Sequence, residues 1–212
     1  MKPYKTIVTG VQAEFVEKKS RFIGATQAAH SPEEAADFIA AVKKQHWDAR
    51  HNVFAYILRD GTARFSDDGE PQGTAGTPVL AVLQKQALCD VVLTVTRYFG
   101  GVLLGAGGLT RAYGNAASLA IQAADVVFMK PCSLLQIHCP YPMLKKIEET
   151  IGACSGKIER TTYEEAVTIE LYLELEKCRV FQEALTEISL GQITAQETGK
   201  DYRAFPIKKE EA

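Results

Sequence analysis

Three carboxylates fall within four positions in the segment Phe65-Ser66-Asp67-Asp68-Gly69-Glu70-Pro71-Gln72-Gly73-Thr74-Ala75-Gly76, among residues that form turns. Asp67, Asp68 and Glu70 carry the chemistry of a hard-cation site or of a general acid and base. Their spacing is not the alternating-Asp pattern of a calcium loop, so no metal is assigned. The competing assignment is a solvated loop whose Asp side chains accept from nearby backbone N–H groups. A long loop in a compact domain favours some binding role.

A second segment is Arg97-Tyr98-Phe99-Gly100-Gly101-Val102-Leu103-Leu104-Gly105-Ala106-Gly107-Gly108-Leu109-Thr110-Arg111, with five glycines in nine positions. Gly100, Gly101, Gly105, Gly107 and Gly108 permit positive φ and close backbone approach. N–H groups turned inward ahead of a helix make an anion site, and Arg97 and Arg111 would add charge-assisted bonds. No Lys-Ser follows the glycines, so this is not a P-loop, and Gly105-Ala106-Gly107-Gly108 does not open a dinucleotide-binding unit. Tight packing of a helix over a sheet explains the same glycines equally well.

Other candidates are weaker. Lys18-Lys19-Ser20-Arg21 can touch phosphates, although such runs are more often solvated turns. Arg50 and His51 stand near Trp47 and could stack on a base, although a Trp near a helix end is usually core. His138 and Cys139 are neighbours on a strand and face opposite sides. No nucleophile elbow, HExxH or kinase pattern is present.

The elements that must hold these residues follow from periodicity. Strands are expected at about 4–16 and 21–28. A helix begins at Ser31-Pro32-Glu33-Glu34, where Ser31 caps and Glu34 completes a capping box. Residues 53–59 form a strand, 60–74 a polar loop, 78–87 a helix, 90–98 a buried strand and 109–124 a helix. Beyond a boundary near Lys130-Pro131 the pattern sharpens. A strand at 135–139 leads to a helix from Pro142 stopping near Gly152, then a strand at about 156–163. Val167, Ile169, Leu171, Leu173 and Leu175 alternate with polar residues as a strand. A helix through Phe181 and Leu185 ends at Gly191, and a strand spans 192–198. The order βαββαβ is ferredoxin-like. The fold class is α+β in two domains, 1–130 and 131–212.

The 212 residues carry 24 basic and 26 acidic side chains, a net charge of -2, which excludes a chain-wide basic field. Residues 1–130 hold 14 basic and 12 acidic groups, and 131–212 hold 10 and 14. Any nucleic-acid site is therefore expected in the first domain. An apolar fraction of 46% and charged fraction of 24% are globular values. No apolar run suits a membrane span, and the start lacks a signal-peptide core. Five cysteines without a CxxC pair argue against disulfide and zinc-ribbon frameworks. A cytoplasmic protein without cofactor is expected.

Arg97-Tyr98-Phe99-Gly100-Gly101-Val102-Leu103-Leu104-Gly105 closely resembles the signature of the Impact family, which includes the bacterial YigZ-like proteins. Lys19-Ser20-Arg21-Phe22-Ile23, His51-Asn52-Val53-Phe54-Ala55-Tyr56, Asp67-Asp68-Gly69-Glu70-Pro71 and Gly73-Thr74-Ala75-Gly76 resemble its other blocks. The resemblance implies a first domain like domain 2 of ribosomal protein S5 and a second like domain V of elongation factor G. Eukaryotic members carry a preceding RWD domain and restrain the stress kinase of translation control. The segment before Tyr4 is too short for one, so that partner is not expected. The family supplies no established catalytic residues to carry over.

The favoured expectation is a translation-linked regulatory or binding protein that contacts RNA or the ribosome through the first domain. The alternatives are an enzyme acting on a phosphorylated small molecule, which needs a pocket joining the acidic and glycine segments, and a protein-interaction module with an exposed apolar patch.

Overall fold

The computed structural model describes residues 1–207; positions 208–212 of the expected second domain lie outside the described residues. The chain divides into a unit comprising Tyr4–Phe128 and a second comprising Met129–Phe205 with Met1–Pro3.

In the first unit a five-stranded antiparallel sheet runs in the order β2 (Val11–Glu17), β3 (Ser20–Ala28), β6 (Val91–Tyr98), β4 (His51–Ile57), β5 (Ala63–Ser66). Helices α2 (Gly76–Lys85) and α3 (Ala106–Ala123) cover one face, around Phe22, Val79, Leu83, Leu93 and Tyr113. Helix α1 (Pro32–Gln45) packs a smaller cluster of Ala35, Ile39, Tyr56 and Val92. The central strand β6 is therefore buried on both sides, which is why it reads as a continuous apolar run rather than an alternation.

Several expected boundaries move. The single strand expected over 4–16 is two: β1 (Tyr4–Ile7) ends before Gly10, where a Cβ would meet the Thr26 carbonyl oxygen at 2.8 Å. β1 pairs with the strand β7 (Val126–Cys139), whose first residues belong to the same unit. The loop expected over 60–74 contains β5, paired with β4 from Phe54↔Ser66 to Ile57↔Ala63. α3 starts at Ala106 rather than Leu109, so Gly107 and Gly108 lie in its first turn. Ser31 accepts from the Glu34 N–H at 3.2 Å as expected, but Glu34 reaches back to the His30 N–H, one residue beyond the cap.

The second unit has the expected βαββαβ order, with α4 (Leu144–Ala153), β8 (Lys157–Tyr163), β9 (Val167–Glu174), α5 (Cys178–Ser189) and β10 (Ala195–Pro206). β9 lies between β7 and β8, and β10 pairs with β7, the strand order of a ferredoxin-like sheet. Val167, Ile169, Leu171 and Leu173 are all buried with Ile147, Ile151, Phe181 and Leu185. Leu175 leaves the pattern for a short 3-10 turn. α4 runs past Gly152 to Ala153, and the left-handed residue that follows its end is Ser155, with a φ of 60°. Among the described residues no helix is long and apolar enough to cross a membrane.

Candidate functional site

The acidic segment has no shared ligand geometry, because each carboxylate is committed separately. Asp67 accepts from the N–H groups of Gly73 at 2.8 Å, Ala75 at 3.1 Å and Gly76 at 2.8 Å. It thereby caps α2, whose own N-cap, Ala75, has no side-chain oxygen. Asp68 accepts from the Asn52 N–H at 2.6 Å and from the Lys43 ammonium at 2.8 Å. Burial pushes the Asp68 carboxyl up, but the Lys43 bond, the Asn52 bond and the nearby positive charge outweigh it and hold the group below its usual value.

Glu70 goes inside. Its Oε1 accepts from Arg97 Nη1 at 2.6 Å and from the Tyr113 hydroxyl at 2.8 Å. The Glu70 side chain is 4% exposed and that of Arg97 6%. Arg97 also faces the rings of Phe22 and Phe99, and its Nε has no hydrogen-bond partner among the described residues. Burial first, and then the Glu70 carboxylate, push the Tyr113 hydroxyl far above the ordinary phenol value. This buried ion pair, neutral overall, joins the acidic segment to the end of β6 and, through Tyr113, to α3.

His51 pairs with Arg97 in the β4–β6 register. Its Nδ1 lies 2.8 Å from the Asp68 carbonyl oxygen, and since a carbonyl only accepts, Nδ1 carries the proton. Nε2 is 3.7 Å from Glu70 Oε1, too far for a hydrogen bond. Both groups line an open cleft of about 330 Å³ walled by Arg50, Phe99, Leu103 and Gly105. The cleft joins the acidic segment to the glycine segment.

The glycines divide by role. At Gly100 a Cβ would lie 2.0 Å from the Lys19 carbonyl carbon, so only glycine lets the segment pass the β2–β3 turn. Gly105 caps α3 at φ 73° and offers no side chain, leaving the first N–H groups of that helix open. Gly101 has a positive φ, whereas Gly107 is an ordinary helical residue beside the Arg111 guanidinium.

Basic groups surround this end of the sheet. Lys18 and Lys19 form a two-residue turn with φ of 45° and 62°, a left-handed conformation normally left to Asn and Gly. A separate groove holds Lys18, Arg111 and Asn115. Arg50 faces the Phe99 ring at 5.8 Å. Lys18, Lys19, Arg50 and Arg111 make no ion pair among the described residues, whereas Arg21 is held by Glu14 at 2.8 Å. Trp47, expected in the core, is 82% exposed, because α1 ends at Gln45 and the chain turns outward before β4.

Of the residues singled out from sequence, Arg50, His51, Glu70, Arg97 and Gly105 meet in the cleft. Lys19 and Gly100 touch beside it, and Gly108 and Arg111 line the neighbouring groove. Asp67 and Asp68 are fixed as scaffold. Sequence reasoning missed Tyr113 and Ser20. The Ser20 hydroxyl accepts from the Gly100 N–H at 3.2 Å.

Comparison with known proteins matches residues 18–121 to the Impact N-terminal domain and residues 137–192 to a domain of unknown function, DUF1949. The chain is 40% identical to the IMPACT family member YvyE of Bacillus subtilis over 94% of this chain and 93% of that protein. It is 38% identical to the IMPACT family member YigZ of Escherichia coli over 83% and 88%. A crystal structure of a hypothetical protein aligns with a TM-score of 0.60 at 33% identity, covering 94% of this chain and 98% of that one.

Proposed function

The chain belongs to the IMPACT family, and from that premise we propose that it is a translation-linked binding protein whose Tyr4–Phe128 unit holds single-stranded RNA. The observation that carries this is the exposed Phe99 ring, faced by Arg50 in the cleft, with further cations that make no ion pair among the described residues at the same end of the sheet. Trp47 and Phe99 are 82% and 41% exposed. Lys18 and Arg111 line the groove beside the start of α3, Arg50 lines the cleft there, and the Lys19 backbone abuts Gly100. Sequence-tolerant RNA binding uses this pairing of stacking surfaces with a positive track. The left-handed Lys18-Lys19 turn adds support. Backbone held in such conformations costs about 1–3 kcal/mol per residue and concentrates at functional positions.

A phosphorylated small ligand is the second possibility, favoured by the cleft that joins the acidic and glycine segments. The second unit is a poor RNA surface, since Glu170 and Glu174 lie on the polar side of β9.

Trp47 is the only tryptophan in the chain and stands three residues before Arg50 in sequence, so its fluorescence is a convenient probe. Titration with single-stranded RNA is expected to quench it, with the midpoint moving to higher RNA concentration as salt rises. No spectral change at any RNA concentration, together with no retardation of the RNA by the protein in a gel-shift assay, would refute the proposal.

A further inference from the structure

The cleft contains an unmet acceptor. Glu70 is almost fully enclosed, yet both of its hydrogen bonds fall on Oε1. Oε2 accepts from none of the described residues. Oε2 is not one of the sealed, unpartnered atoms of the interior, which are Thr26 Oγ1 and Arg97 Nε, and Glu70 lines the open cleft, so both acceptor sites of this oxygen are available to a ligand there. Arg97 already neutralises the charge, so the group that suits Oε2 is a neutral donor such as a hydroxyl rather than a cation.

His51 supplies a second hydrogen-bonding group beside the first. Its Nδ1 proton is given to the Asp68 carbonyl, which leaves Nε2, 3.7 Å from Oε1, as the ring atom that can meet a ligand. A hydroxyl can either donate or accept, so two adjacent polar groups in a cleft match two adjacent hydroxyls. The same cleft is lined by the start of α3, whose first turn has no acidic residue and no side-chain cap, and by Arg50, which makes no ion pair among the described residues and lies over the Phe99 ring. These groups suit an anion. Phe99 and Leu103, the latter 83% exposed, add apolar surface to the lining.

We propose that this cleft seats one ribonucleotide, with its 2′,3′-diol on Glu70 Oε2 and His51 Nε2 and its phosphate against the start of α3 and Arg50. At about 330 Å³ the cleft is at the small end of ligand sites, suited to a single nucleotide with free 2′ and 3′ hydroxyls. The occupant is the 3′ end of an RNA or a free nucleoside monophosphate. This deepens the RNA proposal and rests on it for the polymer, and the ribose hydroxyls are what distinguish RNA from DNA.

The test uses the intact protein and altered ligands. Binding of a short single-stranded RNA is compared with the same RNA ending in a 2′,3′-dideoxynucleotide, and adenosine monophosphate with its 2′,3′-dideoxy form. Removing the terminal hydroxyls is expected to weaken both pairs by about 10- to 100-fold, and Glu70→Gln to reduce that difference. RNA that binds equally well with either end overturns the seat and leaves RNA binding standing. Monophosphate binding with discrimination, but no RNA binding, keeps the seat and overturns the RNA proposal. Absence of binding to every probe overturns both. If Glu70→Gln does not fold, the ligand pairs with the unaltered protein still decide.

Discussion

Replacing Arg97 by Met tests the buried ion pair on which the site is built. Met keeps much of the volume against Phe22 and Phe99 but withdraws the 2.6 Å donor from Glu70. The carboxylate, 4% exposed, then keeps only the Tyr113 hydroxyl. Removing one partner of such a pair costs about 3–5 kcal/mol, a large part of a typical stability of about 5–15 kcal/mol. Glu70→Gln leaves Arg97 charged, with only Ser20 at 3.5 Å for its other end, at a similar cost. The double variant buries no charge, so it is expected to unfold at a denaturant midpoint well above that implied by adding the two losses. The coupling should exceed about 1 kcal/mol. Urea unfolding followed by circular dichroism, with all four proteins at one pH, measures this. Single variants costing less than about 1 kcal/mol, as exposed pairs do, would refute the buried pair. Strict additivity would refute the coupling.

Three further outcomes follow. Gly100→Ala forces a Cβ onto the Lys19 backbone and is expected to lower the melting temperature sharply. Gly107→Ala, with its nearest contact at 3.6 Å, should be neutral or stabilise α3 by up to about 1 kcal/mol; equal melting temperatures would contradict this division. Asp67→Ala removes three N–H partners from the start of α2 and should cost about 1–2 kcal/mol in chemical denaturation, whereas an unchanged midpoint would mean that water replaces the cap. Asp68 is held below its ordinary value of 3.8, so its stabilisation is present above that pH and is lost as pH falls through the lower folded value. The stability gap between the protein and Asp68→Asn should therefore be constant near neutrality and shrink in acid; a gap that widens in acid would reverse the sign.

Local patterns were legible in sequence and contacts through space were not. The alternation from Val167 to Leu173 gives β9 directly, because a strand with one buried face has a period of two. Ser31 announces α1 through its own side chain. The acidic segment looks like a cluster in one dimension, but Asp67 turns to the start of α2, Asp68 to β4 and Glu70 to Arg97 and Tyr113. Tyr113 lies 43 positions from Glu70 and carried no local signal. Trp47 misled because apolar type argues for burial, while a helix ending two residues earlier leaves it no core to enter. Gly107 looks like a loop glycine in sequence because a helix start is hard to place when the cap is itself glycine.

The central proposal is tested most directly by the salt dependence of RNA affinity for the intact protein and for a Lys18→Glu, Lys19→Glu variant. Neutralisation of about three phosphates predicts log affinity falling with log salt at a slope of about -2 for a single strand. The variant should bind more weakly at low salt, with a shallower slope and an unchanged melting temperature. A flat salt dependence, or equal affinity of the two proteins, would contradict RNA binding at this end of the sheet.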